Sequence, residues 1–293
     1  MPKFINKRDE AMFKNKKAII FFAVFIVLFR FFYKQNSELT TSTYDVNDPQ
    51  IPKSFTNYKI ISISDLHNKS FGKHNIKLLN KIKRLAPNII VVTGDLINAY
   101  HPDKTIALDF IKEASKIAPI YFINGNHEAR MKNYEVFETE LRNSNAVILN
   151  NKSIKIKHIS DYINLLGLAD PAQYYTDNTN LVLASQLDYL LNPINPVKFT
   201  LLLSHRPEFM PIYADRPINL VLSGHAHGGQ FRVPFLGGLF APNQGYFPKY
   251  SAGKYTESET TMIVSRGLGP SSFPTRLNNK PDLVQVILHP EQN

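Results

Sequence analysis

The chain has 293 residues, 43% of them hydrophobic, which is enough for one large domain or two small ones. It has no cysteine, which excludes disulfides, thiolate metal sites and cysteine nucleophiles, so any metal must be held by His, Asp, Glu or Asn. The net charge of +10 is concentrated at the start, where residues 1–35 carry eight Lys/Arg against two Asp/Glu; no dense basic stripe with interleaved aromatics follows, and no nucleic-acid partner is expected.

Residues 18–33 read "AIIFFAVFIVLFRFFY", with Lys3, Lys7, Arg8, Lys14, Lys16 and Lys17 upstream. No small-residue cleavage site follows, as a signal peptide would require. A buried core helix would not carry six cations just ahead of it. The segment therefore reads as an uncleaved signal anchor, with Arg30 near its end able to snorkel to the headgroups. The positive-inside rule keeps residues 1–17 in the cytoplasm and sends the bulk of the chain across the cell membrane. Residues 34–57 are polar and read as a linker, with a short edge strand around Thr43–Val46. The folded domain is expected over 58–293.

Within it, apolar runs alternate with helical patterns. "YKIISIS" (58–64), "NIIVVTG" (88–94) and "PIYFING" (119–125) read as strands. Residues 75–86, 104–118 and 134–143 read as the helices between and after them. "INLLGL" (163–168) is a further strand and 181–191 a helix. The strands "FTLLLSH" (199–205), "INLVLSG" (218–224), "TMIVSRG" (261–267) and "LVQVILH" (283–289) complete the order. Two central sheets flanked by helices suit this α/β sequence.

The ends of these strands carry the chemistry. Asp65-Leu66-His67 follows the first, Gly94-Asp95 the second, and Asn124-Gly125-Asn126-His127-Glu128 the third. His205 ends the "TLLLS" run, and Gly224-His225-Ala226-His227 follows "NLVLS". Each motif alone is an ordinary polar turn. Together, five of nine histidines stand directly after apolar strands, the edge at which open α/β sheets bind ligands. Burying that many polar groups is costly unless they are paired or bind metal.

The ordered set D-x-H, G-D, G-N-H-E, H and G-H-x-H resembles the calcineurin-like metallophosphoesterase superfamily, over about residues 58 to 289. The resemblance implies a four-layer α/β/β/α sandwich behind the N-terminal transmembrane helix. It implies two divalent cations, Mn first and Fe, Zn or Mg as alternatives. Asp65, His67 and His227 would hold one, Asn126, His205 and His225 the other, and Asp95 both. Such a pair acidifies water, and the resulting hydroxide would attack a phosphomonoester, phosphodiester or pyrophosphate. His127, beside Asn126, is left for protonating the leaving oxygen or stabilising phosphoryl charge. In the family an Asp sometimes follows the G-D motif by three residues and orients that histidine; here Asn98 stands there.

The segments 224–255 and 264–288 further resemble the membrane-associated bacterial branch related to UDP-2,3-diacylglucosamine hydrolases. Arg266 and Arg276 are candidate phosphate contacts there, and the aromatic loop 231–247 suits a lipid-linked substrate. An extracytoplasmic domain would not meet a cytoplasmic UDP-lipid, so the expectation is a phosphoesterase on a phosphorylated small-molecule or envelope substrate, with no obligate protein partner. A metallopeptidase would show H-E-x-x-H, which is absent. A non-catalytic metal-binding envelope module would be expected to have lost ligands, and none is missing.

Overall fold

The computed structural model describes residues 7–173, 178–270 and 273–291. Helix α1 (Lys7–Ser37) contains a stretch, Asn15–Ser37, long and apolar enough to cross a membrane by length and composition. Its side chains from Ile19 to Tyr33 are exposed rather than packed on the domain.

Only two residues separate the end of α1 from strand β1 (Thr40–Asp48), so the stretch expected as linker is largely folded. Its sequence, TTSTYDVND, has little apolar content to announce a strand. It is held by parallel pairing with a strand 242 positions later and by Thr40 and Ser42 hydroxyls donating to Asp282.

Strands β2 (Tyr58–Ile63), β3 (Ile89–Val92), β4 (Ile120–Phe122) and β5 (Ala146–Ile148) run parallel, linked through helices α2 (Ile76–Leu85), α3 (Thr105–Ala114), the short turn α4 (Asn126–Ala129) and α5 (Tyr134–Asn143). The second half contributes β6 (Lys152–His158), β7 (Asp161–Leu168), α6 (Thr179–Leu191), β8 (Thr200–Ser204), α7 (Met210–Ala214) and β9 (Leu220–Ser223), then β10 (Gly253–Glu257), β11 (Thr260–Val264) and β12 (Asp282–Pro290). The first six-stranded sheet has the order β1-β12-β2-β3-β4-β5 and the second β10-β11-β9-β8-β7-β6.

The period-2 alternation of these strands decides the layers. Ile61, Ile63, Ile90 and Val92 face α2, α3 and α5. Ile60, Val91, Leu201, Leu203, Leu220 and Leu222 fill the space between the sheets. Leu202 and Val221 face α6 and α7, where Leu183, Leu187 and Tyr213 cover them. The result is the expected α/β/β/α sandwich. Continuous apolar strands are what a sheet covered on both faces requires. The parallel strands of both sheets end on one edge, and every candidate ligand lies on the loops leaving that edge.

Candidate metal centre

Two side-chain groups converge at this edge. Asp65, His67 and His227 offer ligand atoms within 4.8 Å of one another, and so do Asp95, His205 and His225. In the first, His67 Nε2 lies 3.2 Å from His227 Nε2, and His227 Nε2 lies 3.4 Å from Asp65 Oδ1. In the second, Asn126 Oδ1 lies 3.2 Å from His205 Nε2. Asp95 Oδ2 stands between them, 3.5 Å from His67 Nε2 and 3.3 Å from His205 Nε2. The fold thus brings all seven sequence-chosen ligands and His127 into one buried cluster.

The loops reach this geometry through unusual backbone. Asp65, His67, Asp95, His225 and His227 all have left-handed φ, between 46° and 65°. Such backbone costs on the order of 1 kcal/mol or more per residue and persists where surrounding structure imposes it. Asp and His are among the side chains that tolerate it best. The imposing bonds run from loop to loop. The Asp65 and His67 amides donate to the Gly94 and Asp95 carbonyls, and the His225 amide donates to the Asp65 carboxylate. A Cβ on Gly94 would collide with the Gly125 backbone, and one on Gly125 with the Asp95 carboxylate. Those two glycines let the second and third loops touch.

Charge at the cluster is unbalanced. Burial raises Asp65 to about 6 and Glu128 to about 7, with Asp95 adding to both. Burial also opposes ionisation of Asp95, but His205, then His127 and His67, hold it well below the usual carboxylate range. Its partner His205 is pushed up to about 10 against its own burial, chiefly by Asp95. His67 is pushed down to about 3 by burial, and His225 and His227 fall well below the ordinary imidazole value for the same first reason. These three imidazoles therefore favour the neutral form, which keeps one ring-nitrogen lone pair each for donation to metal. Buried carboxylates beside them lack compensating cations, and a proton on His205 partly fills that place. An N/O donor set short of positive charge fits divalent metal.

The histidine orientations agree. The His205 ring shares a 2.7 Å hydrogen bond between Nδ1 and the Thr93 carbonyl, which makes Nδ1 the donor and turns Nε2 inward, where loss of its proton would leave a lone pair for metal. His127 is held differently. Its Nδ1 accepts from the Ala99 backbone amide at 2.9 Å, so the neutral ring carries its proton on Nε2, 4.0 Å from Asp95 Oδ2. Its own amide donates to Asp95 Oδ1 at 2.9 Å. Asn98 does not orient this ring through its side chain, which accepts from the Tyr100 amide; the next backbone amide does so.

Three further residues support the cluster. Glu128 is fully buried and accepts from the amides of Asp95, Ile97 and Gly125 at 2.7, 3.1 and 2.9 Å, tying the G-D loop to the G-N-H-E loop. Arg206 forms a buried fork on Asp170 at 2.7 and 3.2 Å; its Nη1 donates to Asn243 and lies 3.4 Å from His225 Nε2. Asp170 and Arg206 both stand just past apolar strands, the same signal that picks out the candidate ligands. Arg276 lies against the first group, with Nη2 3.4 Å from His227 Nδ1, but its guanidinium also donates to the carbonyls of Gly269 and Arg266. The Arg266 guanidinium is turned to Asp282 at 2.9 Å and Thr40 at 3.1 Å, not to a candidate ligand.

Paired His/Asp groups on the C-terminal edge of an α/β/β/α sandwich define a metallohydrolase of the dinuclear kind. The chain belongs to the calcineurin-like phosphoesterase family, whose model matches residues 58–229, and it is a metal-dependent phosphoric ester hydrolase. It is 27% identical over 264 residues to an uncharacterized metallophosphoesterase of Bacillus subtilis, YkuE, with 87% of each chain covered. It is 28% identical over 239 residues to the phosphodiesterase YaeI of Escherichia coli, covering 79% of this chain and 82% of that one. A transmembrane protein with metallophosphoesterase domain from Bos taurus is 28% identical over 262 residues, 84% of this chain and 56% of the relative.

Proposed function

We propose that the protein hydrolyses a phosphate ester, a phosphodiester first, with two divalent cations held by its own seven N/O ligands. Asp65, His67 and His227 hold one, Asn126, His205 and His225 the other, and Asp95 belongs to both. The observation that carries this reading is the position of Asp95 Oδ2, within 3.5 Å of one group and 3.3 Å of the other. When bound, such a pair neutralises phosphoryl charge and lowers the pKa of water for attack on phosphorus. His127, fixed by the Ala99 amide, presents an Nε2 proton to a phosphoryl or leaving-group oxygen. Arg206 and Arg276 keep positive charge at the two ends of the cluster. Mn(II) is the metal proposed first, with Fe, Zn or Mg as alternatives for an N/O set without sulfur.

The protein is proposed to be anchored by residues 18–33, with the hydrolase domain on the outer face of the cytoplasmic membrane. Six upstream cations and the exposed apolar surface of α1 support this. A lipid-linked or envelope phosphate ester suits that location; a UDP-linked acylated sugar is the substrate suited to the opposite orientation. The test is purified full-length protein with bis-p-nitrophenyl phosphate and p-nitrophenyl phosphate. Turnover should be abolished by chelation and restored by Mn(II). Full activity after exhaustive chelation, with no metal found by elemental analysis, would overturn the two-metal proposal. Protease added to intact spheroplasts should digest the domain; complete protection until lysis would place it inside.

A further inference from the structure

The end of α1 is bonded into the wall of the metal centre. The Asn36 side chain accepts from the Arg276 amide at 2.7 Å, and Lys69, two residues after His67, donates its ammonium to the Asn36 carbonyl. With only Glu38 and Leu39 between α1 and β1, the domain has no slack tether there. A membrane spanned by α1 therefore lies next to this wall.

The same wall leads to an exposed apolar projection. Arg276 belongs to a segment whose Leu277 carbonyl accepts from the Arg232 amide at 3.0 Å, and the Phe273 ring lies 6.0 Å from Phe231. Arg232–Val233 pairs with Gly237–Gly238 in a small hairpin. Its tip is Pro234-Phe235-Leu236. Phe235 is fully exposed and Leu236 is 66% exposed, and Phe273, which lies against Phe231 at the base of the hairpin, is 57% exposed. The interior is close-packed and takes none of them. The loop that continues from the hairpin reaches Asn243, 3.0 Å from His225. One stretch of chain thus joins the metal cluster to a clustered apolar tip, which is the arrangement of an interaction surface rather than of scattered exposed residues.

We propose that the tip of this hairpin, with Phe273, is a second membrane contact, seated in the interfacial layer of the bilayer that α1 spans, so that the metal centre opens toward phosphate esters of lipids. The proposal rests on the anchor assignment of α1. Phe and Leu are suited to the boundary between headgroups and acyl chains. Lys34 at the end of α1, Lys69 beside it and Arg232 at the base of the hairpin supply cations for anionic headgroups. Two contacts, one spanning and one interfacial, fix the tilt of the domain, which a single helix would leave free.

The absence of native cysteine allows a single nitroxide to be placed at will. Full-length Phe235→Cys, Leu236→Cys and Phe25→Cys variants are labelled and reconstituted in bilayers of phosphatidylethanolamine and phosphatidylglycerol. Collision with oxygen is compared with collision with a water-soluble nickel chelate. Labels at 235 and 236 are expected to favour oxygen several-fold over a free aqueous nitroxide, and the label at 25 more strongly still. Labels at 235 and 236 that behave as aqueous while 25 is in lipid overturn the membrane contact alone. An aqueous label at 25 overturns the anchor, and this proposal with it. Strong spin–spin broadening at 235 without lipid contact would mean that a second copy of the chain covers the tip, which also overturns it.

Discussion

Asp65, Asp95 and Glu128 are no more than 2% exposed and are bound by backbone amides from neighbouring loops, whereas Phe235 and Tyr246, on the loop that leaves the same centre, stand largely in solvent. The floor of the centre is over-determined: left-handed residues, glycine contacts and hydrogen bonds all fix the same positions. The rim is fixed mainly by two short hairpins. The difference separates a rigid floor, which carries the candidate ligands, from a loosely held rim on the same edge. Changes in the floor should alter metal and chemistry; changes in the rim should alter what is presented to them.

The largest expected effect is at the shared carboxylate. Asp95→Asn removes the charge that both groups face, and metal content should fall from about two per chain toward zero by elemental analysis. A variant that still holds two metals would remove Asp95 from its shared position. Next comes His127→Gln, which takes no proposed ligand. Metal should persist while kcat falls by about 10²–10⁴ for the soluble diester. Near-normal turnover would exclude His127 from proton transfer.

Glu128→Gln sharpens the floor itself. It keeps the shape but weakens three hydrogen bonds from Asp95, Ile97 and Gly125. Metal affinity should drop by about 10–100-fold, the range for groups that hold ligands in place. Thermal unfolding of the metal-free protein should show a loss of about 1.5–3 kcal/mol. Unchanged titration and unfolding curves would mean that the two loops do not depend on this carboxylate. The smallest effect is expected at the rim. Phe235→Ser should leave turnover of the soluble diester within about twofold and stability within about 0.5 kcal/mol, as for exposed positions elsewhere. A large loss of soluble turnover would break the separation of floor from rim.

The same contrast explains what could be read from sequence. The strand cores and the positions of the seven candidate ligands were legible because each polar signature directly follows an apolar run, so a local pattern states both burial and position. Glu128, Arg206 with Asp170, and the Ala99 amide act through contacts between loops far apart in the chain, which no local pattern expresses. Arg266 and Arg276 were chosen as loop arginines near the last motifs. One turned out to pair with Asp282 and the other to pack against His227 while donating to backbone carbonyls. Strand β1 was nearly invisible because its partner, not its composition, makes it a strand.

That partnership bears on how the chain is built. β12 lies between β1 and β2, so the strand at 282–290 fills a slot flanked by segments made more than 220 residues earlier. Until it arrives, β1 has no neighbour in the sheet and β2 presents an unpaired edge. Closure of the first sheet must wait until residues 282–290 have left the ribosome, and long-range pairing of this sort is intrinsically slow. A chain cut short before Asp282 would leave both edges open to proteases, so arrival of this one strand is the checkpoint at which the first sheet becomes closed.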